Sequence, residues 1–220
     1  MAFDSGLTDI KIANRALRNI GSRVQITSLS ATDTTEAILC NDFFAECRDR
    51  VLREIDWNFA SKFADLAGKV DGSDTAGDGT NVEADWRRFW AFSYTFPDDC
   101  LALREFVTQD GRQPASKLPH DIITDTAVLK IVCDIDSADD DVTIRYTYRN
   151  TTYSTWWIDA GAAFAMLLAA TIAKPLTGDE DRALKLMQQY EFLRNKGTGA
   201  VRNERIPDTD ADGPFITARR

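Results

Sequence analysis

The chain has few of the residues on which metal-dependent and nucleophilic enzymes rely. Its single histidine is His120, and its four cysteines form no C-x-x-C pair. A zinc site needs several His or Cys ligands, and no Ser or Cys lies in a nucleophile motif. We therefore predict no catalytic residues, no metal and no cofactor. The cysteines, each in an apolar context, are predicted to be reduced thiols that pack as small hydrophobic side chains.

Basic clusters able to bind duplex DNA are also scarce. Aspartate and glutamate number 35 against 26 lysines and arginines, which gives a formal net charge of −9. Paired arginines occur at 87–88 and at 219–220. Tight duplex binding needs clustered Lys and Arg that displace counterions from the phosphates. The acidic balance instead suits a surface past which DNA slides without adhering.

Signals for export and membrane insertion are weak. The N-terminal residues MAFDSGLTDIK contain neither a basic n-region nor an apolar h-region, so we predict no secretion signal. The longest apolar run, residues 156–173, contains Asp159 and Gly161 and is rich in alanine, which is only weakly favourable in lipid. A membrane span needs about 20 strongly apolar residues. A helix that is apolar all round is therefore predicted to be buried among other helices, with no membrane contact.

Two loops contain residue types that metal or phosphate sites use. The acidic run at 134–141 lacks the Gly and Glu that a calcium-binding EF-hand requires at its sixth and twelfth positions. The loop at 71–85 spaces Gly72 and Gly77 like a P-loop, but it lacks the phosphate-binding Lys and carries aspartates that would repel phosphate. We predict a solvated hairpin turn for the first loop. The second is predicted to be mobile, or ordered against a partner.

Apolar periodicity predicts two helices near the N-terminus. The first covers about residues 8–20 and ends at Gly21. The second covers about residues 34–55, with Asp33 and Glu36 resembling a capping box. The stripe that the second helix is predicted to bury consists of Cys40, Phe44, Cys47, Val51 and Ile55.

Two further helices are predicted after residue 150. The third covers about residues 155–174 and ends before Pro175. The fourth begins with a capping box formed by Thr177 and Glu180, and Gly197 closes it. Its predicted buried stripe consists of Ala183, Leu186, Met187, Tyr190 and Leu193.

The middle of the chain changes to the alternating pattern of β-strands. Strands are predicted at 87–96, 102–109, 127–135 and 141–149, and the last two are predicted to pair as a hairpin. The predicted fold class is therefore α+β and mainly helical: a bundle of about four helices, an inserted antiparallel β-rich module and an extended C-terminal tail. The predicted boundaries are 1–60 for the first half of the bundle, 61–151 for the insertion, 152–197 for the second half and 198–220 for the tail.

Five segments, in this order, resemble the tail tubular protein A family, the head-to-tail adaptors of short-tailed bacteriophages (podoviruses). They are IANRALRNIGSRVQITSL, ILCNDFFAECRDRVLREIDWNFA, FSYTFPDDCLALREF, IRYTYR followed by WWIDAGAAFAMLLAATIAKPLTGD, and the C-terminal FITAR. The resemblance covers residues from about 10 to 193. The chain departs from it after Asn195, because relatives often keep a longer helix that Gly197 and Gly199 are predicted to break here.

The resemblance implies a structural role in the virion. Such adaptors, assembled in the bacterial host cytoplasm, form a twelve-subunit ring beneath the portal protein in the tail or neck. The ring extends the DNA channel without sequence-specific binding, and it attaches the tail nozzle, a tail tubular protein B-like protein, and tail fibres. The C-terminal segment of such adaptors commonly reaches towards the portal, which here implies a portal-docking role for Ile206, Phe215, Ile216 and Arg219.

Contacts between subunits are predicted on two segments. The charged face of the second helix offers Arg48, Asp49 and Arg53. Strand alternation would place Trp86 and Trp90 on one face, either packed on the helices or at an interface between subunits. Stacking of single-stranded bases on this basic and aromatic segment is the alternative.

Two other functions stay open from the sequence. Paired carboxylates such as Glu46 with Asp49, or Glu54 with Asp56, are residue types that a virion-associated, cell-wall-degrading glycosidase would use. That chemistry needs two carboxyl groups across a cleft, one with a raised pKa, whereas these decorate the charged face of a helix. A minor capsid protein or assembly protein outside the ring is the second alternative.

Overall fold

The computed structural model shows an α+β protein, which confirms the predicted class. The part of the chain that it describes contains four helices and two antiparallel sheets. The chain divides into two compact units. Met1–Phe59 and Thr152–Arg220 form the first, which we call the helical unit, and Ala60–Thr151 form the second, the β unit. The described residues are 6–31, 33–71, 86, 89–108, 111–114, 117–125, 128–136 and 143–204.

The helical unit is organised around its third helix. The four helices are α1 (Asp9–Ile20), α2 (Thr35–Glu54), α3 (Ile158–Thr177) and α4 (Glu180–Glu204). Helix α3 packs against each of the other three. Its many alanines let those helices approach closely, and eleven of its residues are buried. Although α3 is long and apolar enough to cross a membrane, most of it is buried in the fold.

The first helix has the ends that its sequence predicts. The side chain of Thr8 accepts a hydrogen bond from the backbone N–H of Lys11 at 3.2 Å, which caps the N-terminus. Gly21 follows the last turn with a φ of 89°, and its N–H donates to the carbonyl of Arg18. A positive φ is least strained in glycine, so the prediction of Gly21 as the terminating residue is confirmed.

The start of α2 differs from the prediction by one residue. Thr34, not Asp33, caps the helix, because its hydroxyl accepts a hydrogen bond from the N–H of Ala37 at 3.2 Å. The side chain of Glu36 lies 3.5 Å from the hydroxyl of Ser22 instead of completing a capping box. The predicted stripe is confirmed as buried; it consists of Cys40, Phe44, Cys47, Val51 and Ile55.

The junction between α3 and α4 corrects two predictions. Helix α3 runs through Pro175 and ends at Gly178, whose φ is 70° and whose N–H donates to the carbonyl of Lys174. Proline lacks an N–H, but in the last turn this removes a single helical hydrogen bond. The N-cap of α4 is Asp179, whose carboxylate accepts from the N–H of Arg182 at 3.0 Å. The predicted cap, Thr177, belongs to α3.

The C-terminal end of α4 corrects a third prediction. The helix continues through Gly197 and Gly199 to Glu204, so residues 198–204 are helical and not part of an extended tail. Glycine is unfavourable inside a helix but does not by itself end one when tertiary packing holds the segment. Gly197 is buried, and a β-carbon there would lie 2.7 Å from the indole of Trp57. The rest of the predicted tail, 205–220, lies outside the described residues.

The β unit contains two four-stranded antiparallel sheets. One has the strand order β1-β8-β4-β5 and the other β2-β3-β7-β6. A single core cluster draws large side chains from both sheets, including Phe106 and Tyr146 from the first and Tyr94 and Ile131 from the second. The strands are β1 (Ser61–Asp65), β2 (Val70–Asp71), β3 (Phe92–Thr95), β4 (Cys100–Thr108), β5 (Gly111–Pro114), β6 (His120–Asp125), β7 (Val128–Cys133) and β8 (Thr143–Tyr148).

The predicted hairpin between the last two strands is wrong. Strand β7 lies between β3 and β6, whereas β8 lies between β1 and β4 in the other sheet. Side-chain alternation identifies a strand but not its partner. Four consecutive residues of β8, Ile144 to Thr147, are buried, so both faces of this strand are covered, as is typical of a strand inside a sheet.

Candidate interaction surfaces

Arg48 and Asp49, two of the predicted intersubunit residues, have partners within the helical unit. The Nε of Arg48 donates to Asp49 Oδ1 at 2.7 Å, and the Arg48 side chain is only 13 % exposed. Burial lowers the pKa of Arg48, but the hydrogen bonds with Asp49 and Tyr153 have the larger opposite effect, so the net shift of this pKa is upward. Arg53 is exposed near the end of the same helix. Arg48 therefore holds α2 to the aromatic core, and the exposed surface of this helix lies elsewhere along it.

Glu54 is the centre of a network that joins α2 to α4. It accepts hydrogen bonds from Arg50 Nε at 2.7 Å and from the Tyr190 hydroxyl at 2.6 Å, and Arg194 lies 3.6 Å away. Burial raises the pKa of Glu54. The hydrogen bonds from Arg50 and Tyr190 and the two guanidinium charges lower it by a larger amount, so the net shift of this pKa is downward. A glycosidase acid needs a raised pKa, which weighs against a catalytic role for Glu54.

The described residues Trp86, Phe89 and Trp90 do not lie in a strand. The N–H groups of Phe89 and Trp90 both donate to the carbonyl of Trp86 at 3.0 Å, which makes a helical turn. The prediction of both tryptophans on one strand face is therefore wrong. Trp86 is buried, while Phe89 is 76 % exposed.

An exposed apolar surface of the helical unit lies along α4. Leu184 and Phe192 are 57 % and 69 % exposed. They are eight residues apart, so they share a helix face, opposite the stripe that was predicted to be buried. Beside them, α3 and α4 form a groove of about 500 Å³. Its lining residues are Met166, Lys185, Gln188, Gln189, Phe192 and Leu193.

The cysteines and the histidine have structural surroundings. Burial raises the pKa of Cys40 and of Cys47 to about 11, which keeps both thiols protonated and poorly nucleophilic. His120 Nδ1 forms a hydrogen bond of 2.9 Å with the Leu118 carbonyl, and its ring packs on Phe106. In the described part of the chain, no group of three or more His, Cys, Asp or Glu residues could hold a metal ion.

Several predicted features are not part of the described structure. The four proposed portal-docking residues, Ile206, Phe215, Ile216 and Arg219, lie outside the described residues, as do residues 72–85 of the Gly-rich loop. From the acidic run, Asp134 accepts a hydrogen bond from the Ala91 N–H at 3.0 Å, and Asp136 pairs with Lys69; residues 137–142 lie outside the description.

In comparisons with known proteins, no protein-family model matches this chain, and no curated protein matches it significantly. The resemblance to phage adaptors therefore depends on the order and spacing of its sequence motifs. What the fold adds is the position of the surfaces that a partner could cover.

Proposed function

We propose that this chain is the head-to-tail adaptor of a short-tailed bacteriophage. About twelve copies assemble as a ring beneath the portal in the tail or neck of the virion. The ring extends the DNA channel and attaches the tail nozzle and tail fibres. Its role is mechanical, and assembly takes place in the bacterial host cytoplasm.

The observation that carries the proposal is the exposed apolar face of α4. Phe192 is 69 % exposed and lies at the edge of the groove between α3 and α4, with Leu184 two turns away on the same side. Single exposed hydrophobic residues are common on monomers, but an aromatic beside an apolar groove is typical of a surface that binds another protein. Lys185 and two glutamines, Gln188 and Gln189, give the groove the polar rim that such interfaces have.

The order of helices and strands along the chain agrees with the order of the sequence motifs that resemble the adaptor family. Both ends of the chain contribute helices to one compact unit, and the β unit lies between them in sequence. We further propose that the four helices act as one bundle, because α3 packs against each of the others. The residues beyond α4, including Phe215 and Ile216, would extend to the portal as the family resemblance implies.

The acidic balance suits the proposed conduit. A net charge of −9 repels the DNA backbone and so limits adhesion during passage. Non-specific DNA binding is driven by counterion release, which requires Lys and Arg side chains that neutralise the phosphates. In this chain the basic residues are outnumbered by the acidic ones.

The test is light scattering on the chain mixed with the portal ring of its own phage, compared with each component alone. The expected result is a complex whose added mass corresponds to about twelve copies. Phe192→Ser should reduce the number of bound copies, while Val128→Ser, which alters a 48 % exposed side chain in the β unit, should bind as the wild type does. Absence of a complex at both low and high salt would overturn the proposal.

A further inference from the structure

The outer face of α1 is a stripe of positive charge. Lys11, Arg15 and Arg18 are exposed and spaced four and three residues apart, which places them along one side of the helix. The buried residues of α1 lie on its other side, and the helix packs on α3. We call these three residues the basic stripe. It faces away from α3.

A fourth cation lies at the C-terminal end of α1. A β-carbon on Gly21 would lie 3.1 Å from Nη2 of Arg182, so this guanidinium of α4 lies at the C-terminus of α1, where the helix dipole is negative. None of the three arginines forms an ion pair with a described Asp or Glu; they are Arg15, Arg18 and Arg182. The Lys11 ammonium donates to the Gly6 carbonyl, which carries no charge.

The first half of the outer face of α2 has the opposite charge, and the exposed Arg50 and Arg53 follow it further along the helix. Asp42 and Glu46 are exposed, lie four residues apart and form no ion pair with another described residue. Ile38, one turn earlier, is 42 % exposed and adds apolar surface to the same face. We call Asp42 and Glu46 the acidic stripe. Since α2 also packs on α3 through its buried side, this stripe too faces away from α3.

The two stripes match in charge and spacing. Lys11 and Arg15 are separated by four residues, as are Asp42 and Glu46, and four residues of helix rise by about 6 Å. Two ion pairs can therefore form at once between two helices lying side by side. No ion pair joins the stripes within one described chain, so both are available to another molecule.

We propose that the basic stripe on α1 of one copy docks on the acidic stripe on α2 of the next copy. This inference rests on the proposed ring, and it identifies which two surfaces meet in it. A ring contact is heterologous, so each subunit must carry two different, complementary surfaces. Exposed ion pairs are individually weak, so we expect the ring to close only when a portal aligns its copies.

Charge reversal on one face at a time tests the pairing. Variant A carries Lys11→Glu and Arg15→Glu, and variant B carries Asp42→Arg and Glu46→Arg. Each alone places like charges at every contact, so each should lose the ring mass from the portal complex. Lys117→Glu with Lys196→Glu makes the same charge change as variant A at exposed positions elsewhere, and it should assemble like the wild type.

Mixing the two variants separates pairing from damage to the fold. In a mixture, the reversed α1 of A meets the reversed α2 of B, and the unaltered α1 of B meets the unaltered α2 of A. The mixture should therefore recover the ring with A and B in equal numbers, and its stability should fall with salt. All variants should keep the thermal unfolding midpoint of the wild type, because the altered side chains are exposed.

The outcomes distinguish this inference from the proposed function. If A or B alone still forms a full ring, or if the mixture fails to recover one, the pairing is overturned while the adaptor role stands. If A loses a shift of duplex DNA that the wild type shows, the basic stripe binds phosphate and the pairing is overturned. If the wild type fails to bind the portal, salt-sensitive association of A with B in solution supports the pairing without the adaptor role, and no association overturns both.

Discussion

Gly197 of α4 lies against the indole ring of Trp57, and any side chain at position 197 would overlap that ring. A β-carbon on Gly197 would be 2.7 Å from Trp57 Cη2 and 3.4 Å from Ile55 Cδ1. Trp57 is fully buried, and its indole N–H donates to the Val51 carbonyl at 3.2 Å, so the ring has no room to move. The glycine that was predicted to end α4 thus allows α4 to pack on the end of α2.

The first prediction follows from this contact. Gly197→Ala should lower the free energy of unfolding by about 1–3 kcal/mol, because overpacking outweighs the better helix propensity of alanine. Gly199→Ala is the matched control. Nothing lies within 4 Å of a β-carbon there, so alanine should stabilise α4 by up to about 1 kcal/mol. Urea unfolding of both variants measures the difference, and equal effects would contradict the contact with Trp57.

The second prediction concerns an ion pair in the β unit. Arg145, 6 % exposed, forms two hydrogen bonds with the Glu105 carboxylate, at 3.0 and 3.2 Å, and a third with the Ser61 hydroxyl. Glu105→Gln would leave a buried guanidinium without its counter-charge. It should cost about 2–3 kcal/mol, less than a fully buried pair because Glu105 is 21 % exposed.

The control for Glu105 is Glu180, which pairs with Lys174 at 3.2 Å on the surface, with both side chains more than 60 % exposed. Glu180→Gln should change the free energy of unfolding by less than about 1 kcal/mol. Chemical denaturation of the two variants gives the comparison. A cost for Glu180→Gln as large as that for Glu105→Gln would mean that burial does not set the strength of these pairs.

The third prediction is the pH dependence that Glu54 contributes. Although burial raises its pKa, the hydrogen bonds from Arg50 and Tyr190 produce a net lowering below the ordinary value of 4.5. A carboxylate with a lowered folded-state pKa stabilises the fold above its unfolded pKa, and this stabilisation is lost as pH falls through the folded-state pKa. Glu54→Gln should therefore reduce the loss of stability between neutral pH and pH values below 4.5.

Glu46→Gln is the matched control for Glu54, because Glu46 lies on the same helix and has no ion pair with a described residue. Thermal unfolding measured over that pH range should show the wild-type acid dependence for Glu46→Gln and a flatter one for Glu54→Gln. Identical curves for the two variants would remove Glu54 from the explanation of acid unfolding.

The sequence predicted the helices better than it predicted what they contact. Periodicity located α1 and α2 to within about a residue, because their buried stripes are continuous and polar caps precede them. It placed the ends of α3 and α4 wrongly because Pro175 and Gly197 were treated as local stop signals. Pro175 is tolerated because it lies in a final turn, where it removes a single helical hydrogen bond, whereas Gly197 is held in the helix by its packing against Trp57.

The strand pairing and the exposed surfaces could not be predicted for a different reason. Alternation along β7 and β8 contains no information about which strand lies beside which, and three of their four partners are distant in sequence. The exposed Phe192 and Phe89 look like core residues until the fold places them outside. A signal for Phe192 did exist, since Leu184 and Phe192 repeat at helical spacing on a second face of α4.

The fourth prediction uses the cysteines as reporters of opening. Cys40, Cys47 and Cys133 are buried, and burial raises the pKa of Cys40 and Cys47 to about 11. Reaction with a thiol reagent requires both access and a thiolate, so in the native protein near pH 8 these three should label slowly, at a rate set by unfolding. Cys100 is partly exposed, but burial raises its pKa to about 12, so it should also label slowly.

All four cysteines should react at once in denaturant, which is the control for this experiment. Rapid labelling of Cys47 in the native protein would mean that α2 does not pack on α3 as described.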